Sequence, residues 1–215
     1  MKYKILVILC LLFAIKTSGQ TEKNQYIGIN MFQLPSSTIN LNYSLELKSF
    51  LTIFIDGGYT LNYMKVYSAD IRYLMSSPPT PGSGRPIYIG GEYIKLGGYL
   101  NFRKSFEKKH FFRFGLFFNN SIVTEKKDFY DSYYYPYHEI HSHSLYIYGI
   151  SILAGYEFTI FKRLKSSIDC QLSFPSWNRN YLYSYFKFIP GMGFNETSNW
   201  QEVFPMLLWN IKYKL

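Results

Sequence analysis

The densest group of chemistry-bearing side chains is HEIHSH, residues 138–143. Three imidazoles fall within six positions, and imidazole suits Zn, Cu or Ni. If the stretch is extended, His141 and His143 share one face, and His138 could join them from a loop. The spacing is not that of the helical HExxH zinc hydrolases, because only two residues separate His138 from His141. No carboxylate or Cys cluster elsewhere completes a ligand set. Ser142 and Ser144 stand beside His141 and His143, but adjacency is not the hydrogen-bonded geometry that serine chemistry requires. No P-loop, dinucleotide fingerprint or nucleophile elbow is present. The expectation is therefore a chain without catalytic residues or a cofactor, with His138, His141 and His143 as its only metal candidates. The plainer reading of the loop DFYDSYYYPYHEIHSH is an exposed polar-aromatic surface.

A second group could bind rather than react. Tyr133, Tyr134, Tyr135 and Tyr137 cluster just before the histidines, and Trp177, Tyr181, Tyr183 and Tyr185 cluster later. Tyr and Trp supply most binding hot spots. These residues predict a surface for an extracellular protein or glycan, or else the upper part of an aromatic belt.

What holds such loops is legible in residues 145–160, LYIYGISILAGYEFTI. As a helix these sixteen residues would span roughly 24 Å, short of the ~30 Å hydrocarbon layer. Gly149, Gly155 and the β-branched residues also disfavour a helix. As a strand they alternate. Tyr146, Tyr148, Ile150, Ile152, Ala154, Tyr156, Phe158 and Ile160 form an apolar row, and the other row is small, mixed and carries Glu157. Tyr148 to Tyr156 covers ~26 Å of strand, or about 20 Å along the normal at a ~40° tilt. Aromatic bands bracketing aliphatics are the mark of a lipid-crossing strand.

The same alternation recurs seven more times, at 26–33, 38–47, 51–61, 93–103, 110–122, 166–174 and 205–215. The second of these is the cleanest, with Ile39, Leu41, Tyr43, Leu45 and Leu47 facing one way against Thr38, Asn40, Asn42, Ser44 and Glu46. Connections at 48–50, 104–109 and 162–165 are short; those at 62–92, 123–144 and 175–204 are long. The Pro/Gly tract 76–86 lies in the first long one and is expected to be mobile. Residues 181–188, YLYSYFKF, would extend a neighbouring strand above the barrel or add one. Eight antiparallel strands, tight turns at one rim and long loops at the other, predict an up-and-down transmembrane β-barrel.

This pattern over nearly the whole mature chain resembles the small eight-stranded OmpA/OmpX-like outer-membrane family. The resemblance implies a monomeric barrel of the bacterial outer membrane, surrounded by outer-membrane lipid and lipopolysaccharide. Chains of that kind often end in an aromatic residue; this one ends in Leu215.

The N-terminus agrees. Lys2 and Lys4 precede the apolar run 5–15, and Thr17 and Gly19 are small, so residues 1–19 read as a signal peptide and 20–215 as one barrel domain. Loss of Lys2, Lys4 and Lys16 takes the formal charge from +9 to +6. Cys170 is then alone and has no internal disulfide partner. Aromatics are 20% of residues, fitting strands and membrane interfaces.

Charge is placed unevenly. Lys48, Arg103, Lys104, Lys108, Lys109, Lys162, Arg163, Lys165, Lys212 and Lys214 gather at the short-turn rim against Glu107, either simply solvated or touching lipid phosphates. Nucleic-acid binding is not expected. By parity, Glu46, Asp56, Lys95, Arg113, Glu157, Asp169 and Lys212 point inward, where they must pair or meet water. A plugging ion network is the expected arrangement, a narrow conduit its rival. A barrel enzyme that modifies lipid, and a soluble lipocalin-like barrel with its apolar face turned inward, are the two alternatives of class.

Overall fold

The computed structural model describes residues 24–34, 37–61, 85–103, 109–131, 137–176, 188–194 and 203–215. Eight strands close into an antiparallel up-and-down barrel: β1 (Asn24–Asn30), β2 (Thr38–Lys48), β3 (Leu51–Thr60), β4 (Arg85–Asn101), β5 (His110–Asp131), β6 (Tyr137–Phe161), β7 (Leu164–Ser176) and β10 (Phe204–Lys214). Each pairs with its neighbour in sequence, and β10 pairs with both β7 and β1 to complete the ring. A small hairpin, β8 (Phe188–Ile189) with β9 (Gly193–Phe194), stands apart from the ring as its own two-stranded sheet.

The alternation decides which way each side chain points. In β2, burial switches at nearly every step: Thr38, Asn40, Asn42, Ser44 and Glu46 are buried, while Ile39 (62% exposed) and Leu41 (51%) face out. Phe112, Phe114, Leu116 and Phe118 do the same on β5, and Tyr146, Tyr148 and Ile150 on β6. The inward face carries the buried charges and most of the polar side chains, with one aromatic layer and a small apolar cluster among them, while the large aliphatic rows face out, the reverse of a lipocalin-like polarity. At the short-turn end of the outer wall Tyr156 meets Phe112 and Phe158; nearer the other end Tyr148 stacks on Phe118.

Several boundaries differ from the sequence expectation. β1 ends at Asn30, and Met31 opens a 3-10 turn (Met31–Gln33) instead of finishing the strand. The Asn30 side chain caps that turn by accepting from the Phe32 N–H, a local competition typical of Asn. β5 and β6 run on through most of the expected loop 123–144, paired out to Asp131↔Tyr137 with only 132–136 between them. β4 starts at Arg85, so Arg85 and Pro86 belong to a strand; the rest of the Pro/Gly tract lies outside the described residues. The extension escaped notice because residues 140–144 are exposed on both faces, and a strand wet on both sides carries no polarity alternation.

Prolines mark where the ladder stops. Pro86 lies beyond the last β3–β4 pair at Gly91, Pro175 beyond the last β7–β10 pair at Ser173, and Pro205 above the last β1–β10 pair at Asn210. Each sits where a missing N–H leaves no bond unmade.

Candidate functional site

The interior is built in layers. Nearest the short turns, Glu46 Oε1 takes Arg103 Nη2 at 2.8 Å and Lys165 Nζ at 2.7 Å. Lys165 also reaches Glu157 Oε1 at 3.3 Å, and Glu157 Oε2 accepts from Arg113 Nη1 at 2.6 Å and Lys212 Nζ at 2.9 Å. Arg113 grips Asp169 with two nitrogens, Nε to Oδ1 at 2.8 Å and Nη2 to Oδ2 at 2.6 Å. Five strands, β2, β5, β6, β7 and β10, and Arg103 just past the end of β4 are tied through this one charge network. The bidentate fork is the geometry for which a guanidinium is suited.

All seven charges assigned inward by parity, Glu46, Asp56, Lys95, Arg113, Glu157, Asp169 and Lys212, are buried. Lys165, expected at the rim, and Arg103, inward by the parity of 93–103 though also counted at the rim, are buried as well, at 8% and 6% exposure. They are the counter-ions of Glu46, and their long stems reach from the rim to the interior. Lys165 also lies over the Tyr26 ring and Arg103 over Phe111.

Above the charges sits an aromatic layer. Phe54, Tyr99 and Phe117 meet edge to face with centroids 5.1–5.4 Å apart, joined by Leu153, Met206 and Leu208. Gly115 makes the room: a Cβ there would come within 2.6 Å of the Phe117 ring. Arg113 stacks over Tyr99 at 4.0 Å, joining the two layers. Next comes a second polar layer. Asp56 accepts from Asn40 at 3.0 Å and faces Lys95 at 3.5 Å; Lys95 donates to Gln171 at 3.0 Å. Tyr93 donates to Gln33 at 2.7 Å. Asn119, Ser151 and Ser173 form a hydrogen-bonded row.

The mouth at the long-connection end is occupied by the β8–β9 hairpin. Ile189 and Met192 are wholly buried against Val123, Ile147 and Phe204. Ser121 donates to the Pro190 carbonyl, Ser173 to the Met192 carbonyl and Gln171 to the Gly191 carbonyl. The wall thus receives the hairpin through its backbone. Pro190-Gly191 makes the turn: Gly191 has φ +76°, and the Met192 N–H bonds the Ile189 carbonyl at 2.9 Å, a type II arrangement with Pro and Gly in their preferred places. Sequence reasoning missed this element and looked instead to 181–188 for a strand; the hairpin begins at Phe188, the last of those residues, and joins no barrel strand. The available signal was FIPGMGF, apolar residues around a Pro-Gly turn inside a long connection.

The histidines lie elsewhere, on the part of β6 that rises beyond the barrel. His141 and His143 are exposed, opposite Lys127 and Glu125 on β5. Position 138 is in the strand, opposite Tyr130, not in a loop. It is three steps from 141, and positions an odd number of steps apart fall on opposite sheet faces. The same rule separates His141 from Ser142 and His143 from Ser144, and Ser144 is engaged with Thr124 at 2.9 Å. Among the described residues no group of three metal-ligating side chains forms. Of the aromatic group, Tyr137 begins β6, while Tyr133, Tyr134, Tyr135, Trp177, Tyr181, Tyr183 and Tyr185 lie outside the described residues, as do residues 1–23 with the expected signal peptide. No protein-family model matches the chain, and no curated protein matches it.

Proposed function

We propose that this chain is a monomeric, non-enzymatic β-barrel of the bacterial outer membrane, with a filled interior and a surface-displayed β-ribbon for binding an extracellular protein or glycan. One observation carries the reading: the wall is apolar outside and ion-paired inside. Ile39, Leu116, Phe112 and Ile150 are each more than half exposed, while Glu157, Asp169, Arg113 and Lys95 are sealed within. In water such a wall would expose far more contiguous apolar surface than monomeric proteins do; in lipid it is the satisfied face.

Orientation follows from the rims. The exposed charges described at the short-turn end are Lys48, Lys109, Lys162 and Arg163, all basic. Basic groups gain up to ~1 kcal/mol each beside anionic headgroups, so this rim suits the inner leaflet and the periplasm. The β4–β6 extension then projects outward among lipopolysaccharide, with Ile140 and Tyr146 about 60% exposed on it. Outer-membrane lipid and lipopolysaccharide are the partners of the wall, and the ribbon is the binding surface.

The test is fractionation of cells with heat-modifiable gel migration, combined with an epitope tag inserted between Tyr137 and Asp131 of the ribbon. Migration that shifts on boiling, in the outer-membrane fraction, with the tag reached by antibody on intact cells, is expected. Recovery in the soluble exported fraction without detergent would sink the reading.

A further inference from the structure

The barrel wall has one irregular seam. β1 is the shortest wall strand and stops pairing with β10 at Asn30↔Asn210, while β10 continues to Phe204. Above that level the 3-10 turn Met31–Gln33 replaces the ladder. The Asn30 side-chain oxygen accepts from the Trp209 N–H at 3.2 Å, standing in for the next inter-strand bond. Farther up the same edge is Pro205, which has no N–H to leave unmatched.

A groove of about 620 Å³ opens over this seam. Phe32, Cys170, Leu172, Pro205 and Leu207 line it on the outer wall, and the buried Met206, Gln33 and Gln171 lie at its depth. Its volume falls within the ~300–1,000 Å³ of ligand-holding clefts. It is open to the side and continuous with the apolar outer band, where Ile29, Trp209 and Phe174 are also exposed. Leu172 and Leu207 lie on the half of the wall toward the long connections.

We propose that this seam is a lateral lipid site that takes one hydrocarbon chain of an outer-leaflet lipid into the wall. The proposal rests on the membrane reading above. The occupant follows from the lining and the place. Apart from the Cys170 thiol the described wall residues are hydrocarbon, no exposed charge stands among the described lining residues, and the groove faces whatever surrounds the band. A flat wall contacts an acyl chain on one side only. This notch contacts it on several sides, from Phe32, from Leu172 and Leu207, and from Met206 below. More carbon atoms then lie at contact distance per methylene.

The full chain is refolded into nanodiscs containing a phospholipid with a photoactivatable diazirine on its acyl chain, and labelled positions are mapped by mass spectrometry. Labelling at Phe32, Leu172 and Leu207 is expected to exceed that at Leu96 and Leu116 on the far wall several-fold. Leu207→Trp, which fills the groove, should bring it down to the far-wall level with the heat-modifiable shift unchanged. A heat-shifted barrel labelled evenly around its wall would overturn the groove proposal and leave the membrane reading standing. Absence of both heat shift and labelling would overturn the membrane reading and the proposal with it. A dimer cross-linked through Cys170 in place of lipid labelling would assign the groove to a second copy and also overturn it.

Discussion

The two ends of the barrel interior are closed by different means. Near the short turns the wall fills itself: Glu46, Glu157 and Asp169 meet Arg113, Lys165 and Lys212, all carried by wall strands, and Arg103, two residues past the end of β4. At the opposite mouth a separate hairpin is brought in, and the wall offers Ser121, Gln171 and Ser173 to its carbonyls. The first device uses charge, is shared among five strands and the residue past a sixth, and cannot be removed without leaving buried ions short of partners. The second uses apolar contact and neutral hydrogen bonds, and it can be withdrawn as a unit. An eight-stranded barrel encloses just enough space for side chains, so closing it is easy; what differs is how much of the ring depends on the closure.

The largest effect that would sharpen this contrast is expected at the charged end. Arg113→Met leaves Asp169 and Glu157 with buried charge and fewer partners, and breaking such a pair costs about 3–5 kcal/mol. Equilibrium unfolding in urea from lipid vesicles should show it; a loss under ~1 kcal/mol would mean that water already enters this layer. Next, Leu116→Arg on the outer wall should cost about 2–4 kcal/mol if that face meets the middle of a bilayer. A neutral result in the same vesicles would break the inside-outside contrast itself.

At the mouth the costs are smaller. Met192→Ala should cost ~2–3 kcal/mol, at the low end for a buried methionine because a hairpin can settle into the space. Its companion, deletion of 188–194, should raise no ionic conductance in planar bilayers, because the aromatic and charged layers below stay filled. A steady conductance from the deletion would show that the hairpin alone closes the barrel. Ser121→Ala removes its bond to the Pro190 carbonyl and should cost ~1 kcal/mol, read as faster proteolysis near the hairpin at unchanged heat shift. Last, replacing His141 and His143 together by Ala should change stability by no more than ~0.5 kcal/mol, with or without added zinc. A zinc-dependent rise in unfolding midpoint for the parent alone would revive a metal role for the ribbon.

Much of this architecture was legible from single residues. Ile39, Leu41 and Tyr43 alternate with Asn40 and Asn42 because one face of β2 is carbon-lined and the other is not, and the burial row follows that alternation. Asp169 and Arg113 could be placed inside for the same reason. Partners were not legible. Nothing in the sequence distance of 56 positions says that Arg113 would grip Asp169, because side chains that meet across a barrel are set by register, strand tilt and shear. The reach of Lys165 was misjudged because a residue at a strand end has two destinations, rim water or interior carboxylate. Glu46 and Glu157 decide between them, and only the closed ring brings those carboxylates near.

The amino-acid sequence by itself determined the number of wall strands, which face of each is apolar, and hence an all-β barrel turned carbon-side out. These are consequences of a period-two pattern, and local geometry reads that pattern strand by strand. Only the tertiary structure decided that β5 and β6 continue as one paired ribbon to Asp131 and Tyr137, that 188–194 folds back into the mouth, and that β1 stops short and leaves a notch beside β10. Each of these depends on what lies next to a segment once the ring has closed, a relation between residues far apart in the chain that no local periodicity records.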